Sequence, residues 1–336
     1  MESPEPETMH TDARGWIGEL AAGIRQRRPQ DVLRSVRGAF NGPYFTLTTR
    51  RPLGTNVYER NWDLLLVLDA CRVDALEEVA PEYDFIEVVD SIWSVGSASH
   101  EWICKTFTND YRDAISGTAL VTSNPFFPQT FEDRTFPPKA YSIPIMWPDW
   151  DVVEKSAFGK FLHVHRHDHE EYFPEAPPQV MTDYAIDTAR NGTYDRMIVH
   201  YLQPHTPYIS AAYAQGRPLT DVEEDPWTAV ESGSATLEEV EELYLGNLRF
   251  VLDSIEALLC NVDAEDVVIT ADHGELFGEL GLYGHPEGLV HPALKKVPWV
   301  TTTATDTGER RPDVDEARQD ETTVETEQRL ADLGYL

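Results

Sequence analysis

Two apolar runs that end in acidic residues stand out in the hydrophobic pattern of this chain. The segment Asp63 to Asp69 contains five consecutive apolar residues, and the run from Val267 to Ala271 leads directly into Asp272 and His273. Strands without polar residues are usually buried on both faces of a parallel sheet, whose carboxyl ends present ligand groups. The pattern therefore predicts Asp69, Asp272 and His273 at one edge of a sheet.

Helical and strand patterns alternate along the rest of the chain. Apolar residues at helical spacing predict helices, and short runs between turn signals predict strands. The predicted helices span 72–80, 180–190 and 236–259, and the further strands span 85–89, 118–122, 196–202 and 297–301. This alternation predicts an α/β fold, a single large domain with a central, mostly parallel sheet flanked by helices.

The N-terminal region combines apolar and basic residues in a broken amphipathic pattern. Residues 1–12 are acidic and contain proline, which is typical of a disordered leader. Residues 14–40 place apolar side chains among several arginines, in contrast to the acidic remainder. Peripheral contact with an anionic membrane surface is one interpretation of residues 14–40. Packing against the acidic body of the same protein is the other interpretation.

The acidic composition of the chain restricts the kinds of molecule that it can bind. The chain of 336 residues has 59 acidic and 27 basic residues and a formal net charge of -32. This charge would repel nucleic acid, so we expect no nucleic-acid partner. An acidic excess over the whole chain also favours a halophilic source, where salt screens the charges.

The cysteines and the lengths of the hydrophobic runs indicate the cellular compartment in which we expect the protein. Three cysteines without CxxC spacing predict neither a disulfide framework nor a thiolate zinc site. No apolar run reaches the roughly 20 residues of a membrane span, and residues 1–7 lack the features of a signal peptide. We therefore expect a cytoplasmic protein, with attachment to the inner membrane face as the alternative.

Several isolated polar residues follow predicted strands or lie in turns. His205 lies between two prolines beyond the strand 196–202, which predicts a loop at the sheet edge. Residues 94–99 form a small-residue turn before a helix, where Ser97 or Ser99 could cap the helix or bind an anion. His285 lies between a glycine and a proline, which disfavours a helix.

Two further segments have an ambiguous pattern. Residues 124–151 are rich in proline and aromatic residues, which fits either a structured insertion at a substrate pocket or a long surface loop. Its aromatic side chains suggest apolar or stacking contacts with a glycan or lipid-linked substrate: Phe126, Phe127, Trp147 and Trp150. The alternating histidines at 163, 165, 167 and 169 fit a solvated segment better than a metal-binding strand edge.

The chain resembles the alkaline-phosphatase superfamily, and specifically its sulfatase-like branch. The resemblance rests on candidate residues that follow one another in this order: Asp69, the serine turn, His205, Asp272-His273 and His285. The most specific motif is Asp-His-Gly-Glu-Leu-Phe-Gly-Glu from position 272, supported by Leu-Val-Leu-Asp-Ala-Cys-Arg from 66 and Gln-Pro-His-Thr-Pro-Tyr from 203. The resemblance implies an alkaline-phosphatase/sulfatase-like fold. It divides the chain into an N-terminal leader with a basic helix (1–60), a catalytic domain (61–301) and an acidic C-terminal tail with a short helix (302–336).

The resemblance also implies roles for individual residues. It implies Asp69, Asp272, His273 and a serine hydroxyl as ligands of at least one divalent metal ion, either Mn, Zn or Ca, with that serine as the nucleophile. His205 would bind the transferring group or protonate the leaving oxygen. His285 would add a metal ligand or a substrate contact. Arg72 and His291, which lie in or beside the matched motifs, are also assigned to substrate binding.

Departures from the family pattern refine the expected reaction. No Cys/Ser-x-Pro-x-Arg context is present, so sulfate ester hydrolysis is disfavoured relative to phosphate chemistry. Tyr201 stands where two-metal phosphodiesterases have an aspartate before the histidine, which favours one metal over two. The leading hypothesis is a metal-dependent hydrolase or transferase of phosphate mono- or diesters. Its substrate would be a small-molecule, glycan or lipid-linked phosphate ester.

Two alternatives remain open. One is a sulfatase that acts on sulfate esters, and the other is a catalytically inactive, metal-binding relative.

The choice of nucleophile rests on spacing. Ser97 stands four residues before Glu101-Trp102, which matches a serine position in related glycerol-phosphate transferases, and leaves room for a turn before the helix. Ser99 lies closer to the helix and could instead cap it. We therefore predict Ser97 as the attacking residue and keep Ser99 as the alternative, or as a cap or substrate contact.

Overall fold

Strands of two sheets organise the computed structural model, which describes residues 13–27, 29–138, 143–164, 173 and 176–314. Seven strands in the described part of the chain form the main sheet: β1 Leu64–Leu68, β2 Asp90–Trp93, β3 Thr118–Thr122, β4 Lys160–His163, β5 Arg196–Tyr201, β6 Ala264–Thr270 and β9 Lys296–Ala304. Two short strands, β7 Leu276–Phe277 and β8 Tyr283–Gly284, pair as a separate hairpin.

Helices connect these strands and precede them. They are α1 Ala13–Arg25, α2 Pro29–Thr48, α3 Val73–Val79, α4 Ser99–Thr106, α5 Arg112–Ser116, α6 Phe126–Phe131, α7 Pro178–Asn191, α8 Ser210–Gln215, α9 Asp221–Glu224, α10 Pro226–Ser232, α11 Leu237–Leu259 and α12 Pro292–Lys295. Short 3-10 turns lie at Val57–Glu59, Ala80–Glu82, Asn109–Tyr111, Lys155–Ala157 and Glu279–Gly281. None of these helices in the described ranges is long and apolar enough to cross a membrane.

The main sheet has the strand order β2-β9-β6-β1-β5-β3-β4. The five strands from β6 to β4 are parallel to their neighbours, whereas β9 runs antiparallel to both β6 and β2. Parallel strands need crossover connections, which here contain the helices. The predicted fold class, an α/β domain with a mostly parallel central sheet flanked by helices, is confirmed.

The continuous apolar run of β1 fills the cores on both faces of the sheet. Leu64, Leu66 and Leu68 belong to the core under α3, α7 and α11, while Leu65 and Val67 belong to the core under α4 and α6. All five residues are buried. This is the arrangement expected of a central strand covered by helices on both sides.

Most predicted elements coincide with observed ones. The strand 118–122 is β3, the long helix 236–259 is α11 with Thr236 as its N-cap, and the basic segment is broken into α1 and α2. The predicted strand 85–89 is wrong, because the edge strand forms only where residues 90–93 meet β9. The partner strand, rather than local hydrophobicity, sets the register at a sheet edge.

Some predicted segments lie outside the described residues. These are the leader 1–12, the histidines at 165, 167 and 169, and the terminal helix 324–333. His163 ends β4 and is buried. Strand β9 continues to Ala304, three residues beyond the domain boundary predicted at 301.

A core substitution in β1 should reveal how much of the stability depends on this sheet. Leu66 is fully buried, so Leu66→Ala should lower the free energy of unfolding by about 2–5 kcal/mol. The control Val88→Ala, at a side chain that is 64% exposed, should change it by no more than about 0.5 kcal/mol. Urea unfolding at constant salt measures both changes. Equal effects of the two substitutions would contradict the central position of β1.

Candidate metal centre and nucleophile

The carboxyl ends of β1 and β6 bring three predicted residues together. The two strands pair in parallel from Leu64 beside Val267, so Asp69 and Asp272 leave the sheet at the same edge. His273 Nε2 lies 3.4 Å from Asp69 Oδ1 and 3.5 Å from Asp272 Oδ2. One ligand atom from each residue lies within 4.8 Å of the other two, and all three side chains are buried. We call these residues the acidic triad.

Backbone groups orient Asp272 and His273. Asp272 Oδ1 accepts hydrogen bonds from the amides of Ala70 (3.2 Å) and His273 (2.9 Å). His273 Nδ1 donates to the carbonyl oxygen of Gly274 at 2.8 Å, which directs Nε2 toward the two carboxylates. Such a bond on the far ring nitrogen is the usual way to fix the tautomer of a metal-binding histidine.

Side chains from two other segments hold Asp69. Its Oδ2 atom accepts hydrogen bonds from Ser99 Oγ at 3.1 Å and from Asn124 Nδ2 at 3.0 Å. Ser99 Oγ also lies 3.1 Å from His273 Nε2. Ser99 is therefore in direct contact with two members of the acidic triad.

The triad has the donor set of a divalent cation site. Asp69 Oδ1 and Asp272 Oδ2 are buried, yet neither has a hydrogen-bond partner. Buried polar atoms are rarely left in this state unless an ion, water or ligand completes them. With His273 Nε2 and Ser99 Oγ, they supply three oxygens and one nitrogen, which suit Zn or Mn. The residues present thus fit the metal ion that the sequence implied.

The pKa values in the triad reflect its concentration of negative charge. Burial by itself would lower the pKa of His273, but the Asp272 and Asp69 carboxylates raise it to about 10. Burial would raise the pKa of Asp272, yet His273 and His200 hold it below its usual range. The imidazolium therefore balances the buried carboxylates, and a bound cation would take over that role from the proton.

Ser97, the predicted nucleophile, is directed away from the triad. Its Oγ donates to Glu101 Oε2 at 2.8 Å, with a longer contact of 3.3 Å to the carbonyl oxygen of Pro286. Its amide also donates to Glu101 Oε2. Ser99, the alternative, lies beside the triad instead, so this geometry favours Ser99, and the identity of the attacking serine stays a prediction. Ser97 lies four residues before Glu101, and this spacing allows a local hydrogen bond between them at the start of α4. Ser99 is the first residue of α4 and is not its N-cap.

Glu101 connects the serine turn to two other parts of the molecule. Its Oε2 atom accepts hydrogen bonds from the amides of Ser97 and Gly288, the latter in the loop that carries His285. Its Oε1 atom accepts hydrogen bonds from Tyr44 of α2 (2.7 Å) and Lys105 (2.5 Å). Burial would raise the pKa of Glu101, but the Lys105 and Lys295 ammonium groups and these hydrogen bonds lower it to about 2. The carboxylate thus fixes three segments around one buried charge.

A second group of potential ligands lies beside the triad. His205, Glu275 and His285 each offer a ligand atom within 4.8 Å of the other two. The ring centroids of His285 and His273 are 4.4 Å apart, so the two groups adjoin. The side chain of Tyr201 bonds Thr182 in the core. Glu275 supplies the carboxylate of this group, and the number of metal ions stays a prediction.

His205 is placed in the loop that its two prolines predicted. Its Nδ1 donates to the carbonyl oxygen of Thr206, and its amide donates to the carbonyl oxygen of Asp69 at 3.2 Å. Burial lowers the pKa of His205. A neutral ring with its proton on Nδ1 favours a ligand role for Nε2 over the alternative of protonating a leaving oxygen.

Arg72 and His291 are engaged by other groups of the protein. The Arg72 guanidinium forms a two-pronged pair with Asp74 and bonds Glu279 and the carbonyl oxygen of Glu275. His291 Nδ1 accepts a hydrogen bond from the Ala293 amide and so caps α12. Acidic partners and a helix end, which the motif could not reveal, engage these side chains in the protein alone, and their role in substrate binding stays a prediction.

Three site residues were missed in the sequence. Asn124 directly follows β3 and could have been found by the strand-end rule that identified Asp69. Glu275 lies in the most specific motif but was given no role. His200, whose Nε2 lies 3.5 Å from Asp272 Oδ2, is inside β5 and carried no signal.

Comparisons with solved structures give distant similarities. The soluble domain of lipooligosaccharide phosphoethanolamine transferase A from Neisseria meningitidis is 12% identical, with 73% of this chain and 77% of that chain covered and a TM-score of 0.45. A structure in complex with its substrate D-glucosamine-2-N,6-O-disulfate is 13% identical, with 73% and 71% covered and a TM-score of 0.44. Phosphonate monoester hydrolase from Silicibacter pomeroyi is 13% identical, with 82% and 73% covered and a TM-score of 0.31.

No protein-family model matches the sequence, and no curated protein is significantly similar to it.

Removing the charge of Glu101 should destabilise the fold. Glu101→Gln leaves Lys105 buried without its counter-ion, so the free energy of unfolding at pH 7 should fall by about 3–5 kcal/mol. The matched control Glu82→Gln, in an exposed pair with Arg249, should cost no more than about 1 kcal/mol. Urea titrations compare the two variants with the unmodified protein.

The loss of unfolding free energy caused by Glu101→Gln should also depend on pH. The folded pKa of Glu101 is about 2 and lies below the ordinary value of 4.5. The carboxylate therefore contributes its full stability above pH 4.5 and loses it as the pH falls toward 2. The difference between the variant and the unmodified protein should shrink below pH 4.5. A difference that stays constant across this range would contradict a buried, charged Glu101.

Proposed function

We propose that this protein is a metal-dependent hydrolase or transferase of phosphate mono- or diesters that acts through a covalent seryl intermediate on Ser99. The observation that carries this proposal is the position of Ser99 Oγ, 3.1 Å from both Asp69 Oδ2 and His273 Nε2. A serine hydroxyl in contact with a buried carboxylate and an imidazole is a common arrangement for nucleophilic catalysis.

The acidic triad and Ser99 would hold a divalent cation, such as Mn, Zn or Ca. When bound, the cation would lower the pKa of the Ser99 hydroxyl and screen negative charge on the transferring group. Asn124 and the backbone amides beside Asp272 keep the carboxylates in place. His205, Glu275 and His285 would bind the oxygens of the transferring group or a second cation.

The proposed reaction has two displacement steps. In the first, Ser99 Oγ attacks phosphorus, the bond from phosphorus to the leaving oxygen breaks, and Asp69 Oδ2 accepts the hydroxyl proton through its existing hydrogen bond. The leaving oxygen takes a proton from water. In the second, water or an acceptor alcohol attacks the phosphoserine and releases its proton to solvent, the phosphorus bond to Oγ breaks, and Ser99 Oγ takes back the proton held by Asp69 Oδ2.

Phosphate esters are preferred because the residues around Ser99 lack the sulfatase sequence context. A sulfatase that acts on sulfate esters remains the first alternative, and an inactive metal-binding relative remains the second. The substrate class that we propose is a small-molecule, glycan or lipid-linked phosphate ester. A halophilic source, supported by the acidic composition, and a cytoplasmic location, supported by the cysteine pattern, are also kept as proposals.

Serine substitutions should separate catalysis from structure. Ser99→Ala should lower the turnover rate by several orders of magnitude with little change in melting temperature, because it removes the attacking oxygen. Ser97→Ala removes a buried bond to Glu101 and should reduce stability by about 1 kcal/mol while leaving most turnover. Single-turnover labelling with a phosphate ester should phosphorylate the unmodified protein and the Ser97 variant. Labelling of the Ser99 variant would overturn the assignment, and no labelling of any form would favour an inactive relative.

A substrate panel should define the reaction class. We expect hydrolysis of aryl phosphate or phosphodiester esters with Mn or Zn added, and loss of activity after chelation. Asp272→Asn should lower metal affinity by about 10-fold or more, since it removes the charge of a triad ligand. Metal content and initial rates measure these effects. Activity confined to aryl sulfate would exclude the phosphate preference, and full activity after complete metal removal would exclude the metal role.

A further inference from the structure

The N-terminal hairpin of α1 and α2 exposes apolar residues at helical spacing. We call residues 13–51 the arm. In α1 the stripe contains Ile17, Ala21 and Ile24, and in α2 it contains Val36, Phe40, Pro43 and Leu47, all of them exposed. The large side chains of the stripe are 54–69% exposed. A helix of a water-soluble domain normally turns such a stripe toward the core.

The arm is attached to the rest of the molecule by a different face. Tyr44 and Phe45 are buried with Ile143 and Met146, and Trp16 Nε1 of α1 donates to the carbonyl oxygen of Ser35 in α2 at 2.6 Å. The two helices thus pack together and onto the body through these residues. The apolar stripe is what remains after that packing.

A neighbouring loop extends the apolar surface. Ile145 and Trp147 are each 50% exposed. The Trp147 backbone is bonded to α2, because its amide donates to Thr46 Oγ1 at 2.9 Å and its carbonyl accepts from Arg50 at 2.7 Å. The exposed surface therefore involves two helices and a loop, which is more than the scattered apolar residues common on soluble proteins.

The charge of the arm is opposite to that of the whole protein. Residues 13–51 contain eight arginines and two acidic residues, in a chain with a net charge of -32. Arg14 and Arg25 are exposed on α1. An apolar stripe flanked by arginines fits a surface that is both anionic and apolar beneath, which is the interface of an anionic lipid bilayer. Nucleic acid would satisfy the charge but not the stripe.

We propose that the arm is a docking surface for an anionic lipid bilayer, with the stripe inserted at the headgroup level and the arginines among the lipid phosphates. The arm lies against the candidate site, since Asn41, next to Phe40, donates to the carbonyl oxygen of Glu287 at 2.8 Å in the loop that carries His285. Docking therefore places the loop that carries His285 beside the membrane. This inference concerns binding and does not depend on the proposed reaction.

Vesicle flotation with the full-length protein tests the docking surface. The protein should float with vesicles that contain phosphatidylglycerol and remain unbound with phosphatidylcholine vesicles at the same ionic strength. Phe40→Ser/Leu47→Ser and, separately, Arg14→Glu/Arg25→Glu should each weaken binding by about 10-fold or more. The controls Val88→Ser and Arg60→Glu/Arg112→Glu change exposed residues elsewhere and should bind normally. Melting temperatures verify that all variants fold.

A local probe checks which surface meets the lipid. Gly18 lies beside Ile17, and a β-carbon at this position would meet no other segment within 4 Å, so Gly18→Cys in a Cys260→Ser background should accept a polarity-sensitive dye. Cys71 and Cys104 are buried, while native Cys260 is exposed just before β6, at the opposite end of the strands from the site. Dye at position 18 should shift to the blue with anionic vesicles, and dye on Cys260 should not.

Three results would overturn the proposal. They are no flotation with anionic vesicles, equal loss of binding in the control variants, and a dye response at Cys260 but not at position 18. A concentration-dependent dimer that Phe40→Ser/Leu47→Ser abolishes, in the absence of vesicle binding, would assign the stripe to a second copy of the chain instead. Loss of hydrolytic activity alone would bear on the proposed function and not on docking.

Discussion

The site depends on the burial of two carboxylates at the ends of adjacent parallel strands. Asp69 and Asp272 are fully buried, and each directs one oxygen without a hydrogen-bond partner toward His273. Two like charges in a low-dielectric interior are unfavourable unless a positive charge is present. In the protein alone the protonated His273 provides it, and the donor set fits a divalent cation in its place. The function that we propose follows from this requirement for compensation.

The surroundings of the site are connected through a second buried charge. Glu101 accepts hydrogen bonds from the serine turn, from the loop that carries His285 and from α2. A fully satisfied buried carboxylate is rigid, because any movement of one partner leaves a polar group unpaired. Glu101 therefore joins the N-terminal arm to the turn at Ser97, two residues before Ser99, through direct hydrogen bonds. The same arm carries the exposed apolar stripe.

The negative charge of the chain and the positive charge of the arm have separate physical consequences. Charges on a salt-screened surface have little effect on one another beyond about 10 Å, so the acidic body need not cancel the basic arm. The body limits contact with other polyanions, while the arm combines arginines with exposed apolar side chains, a combination that fits the lipid surface that we propose. The acidic body explains why composition predicted repulsion of nucleic acid. The basic arm explains why the pattern of residues 14–40 predicted contact with an anionic membrane.

The sequence by itself determined the central strands of the sheet, the strand-end positions of Asp69, Asp272 and His273, and the loop position of His205, because continuous apolar runs and prolines act locally. The tertiary structure distinguished the surroundings of Ser97 and Ser99, since both fit the turn and only the packing of α4 shows which hydroxyl meets Asp69 and which meets Glu101. The tertiary structure also places Asn124, Glu275 and His200 at the candidate site, and it pairs Arg72 with acidic side chains. These contacts join residues that are far apart in the chain, so no local pattern could encode them.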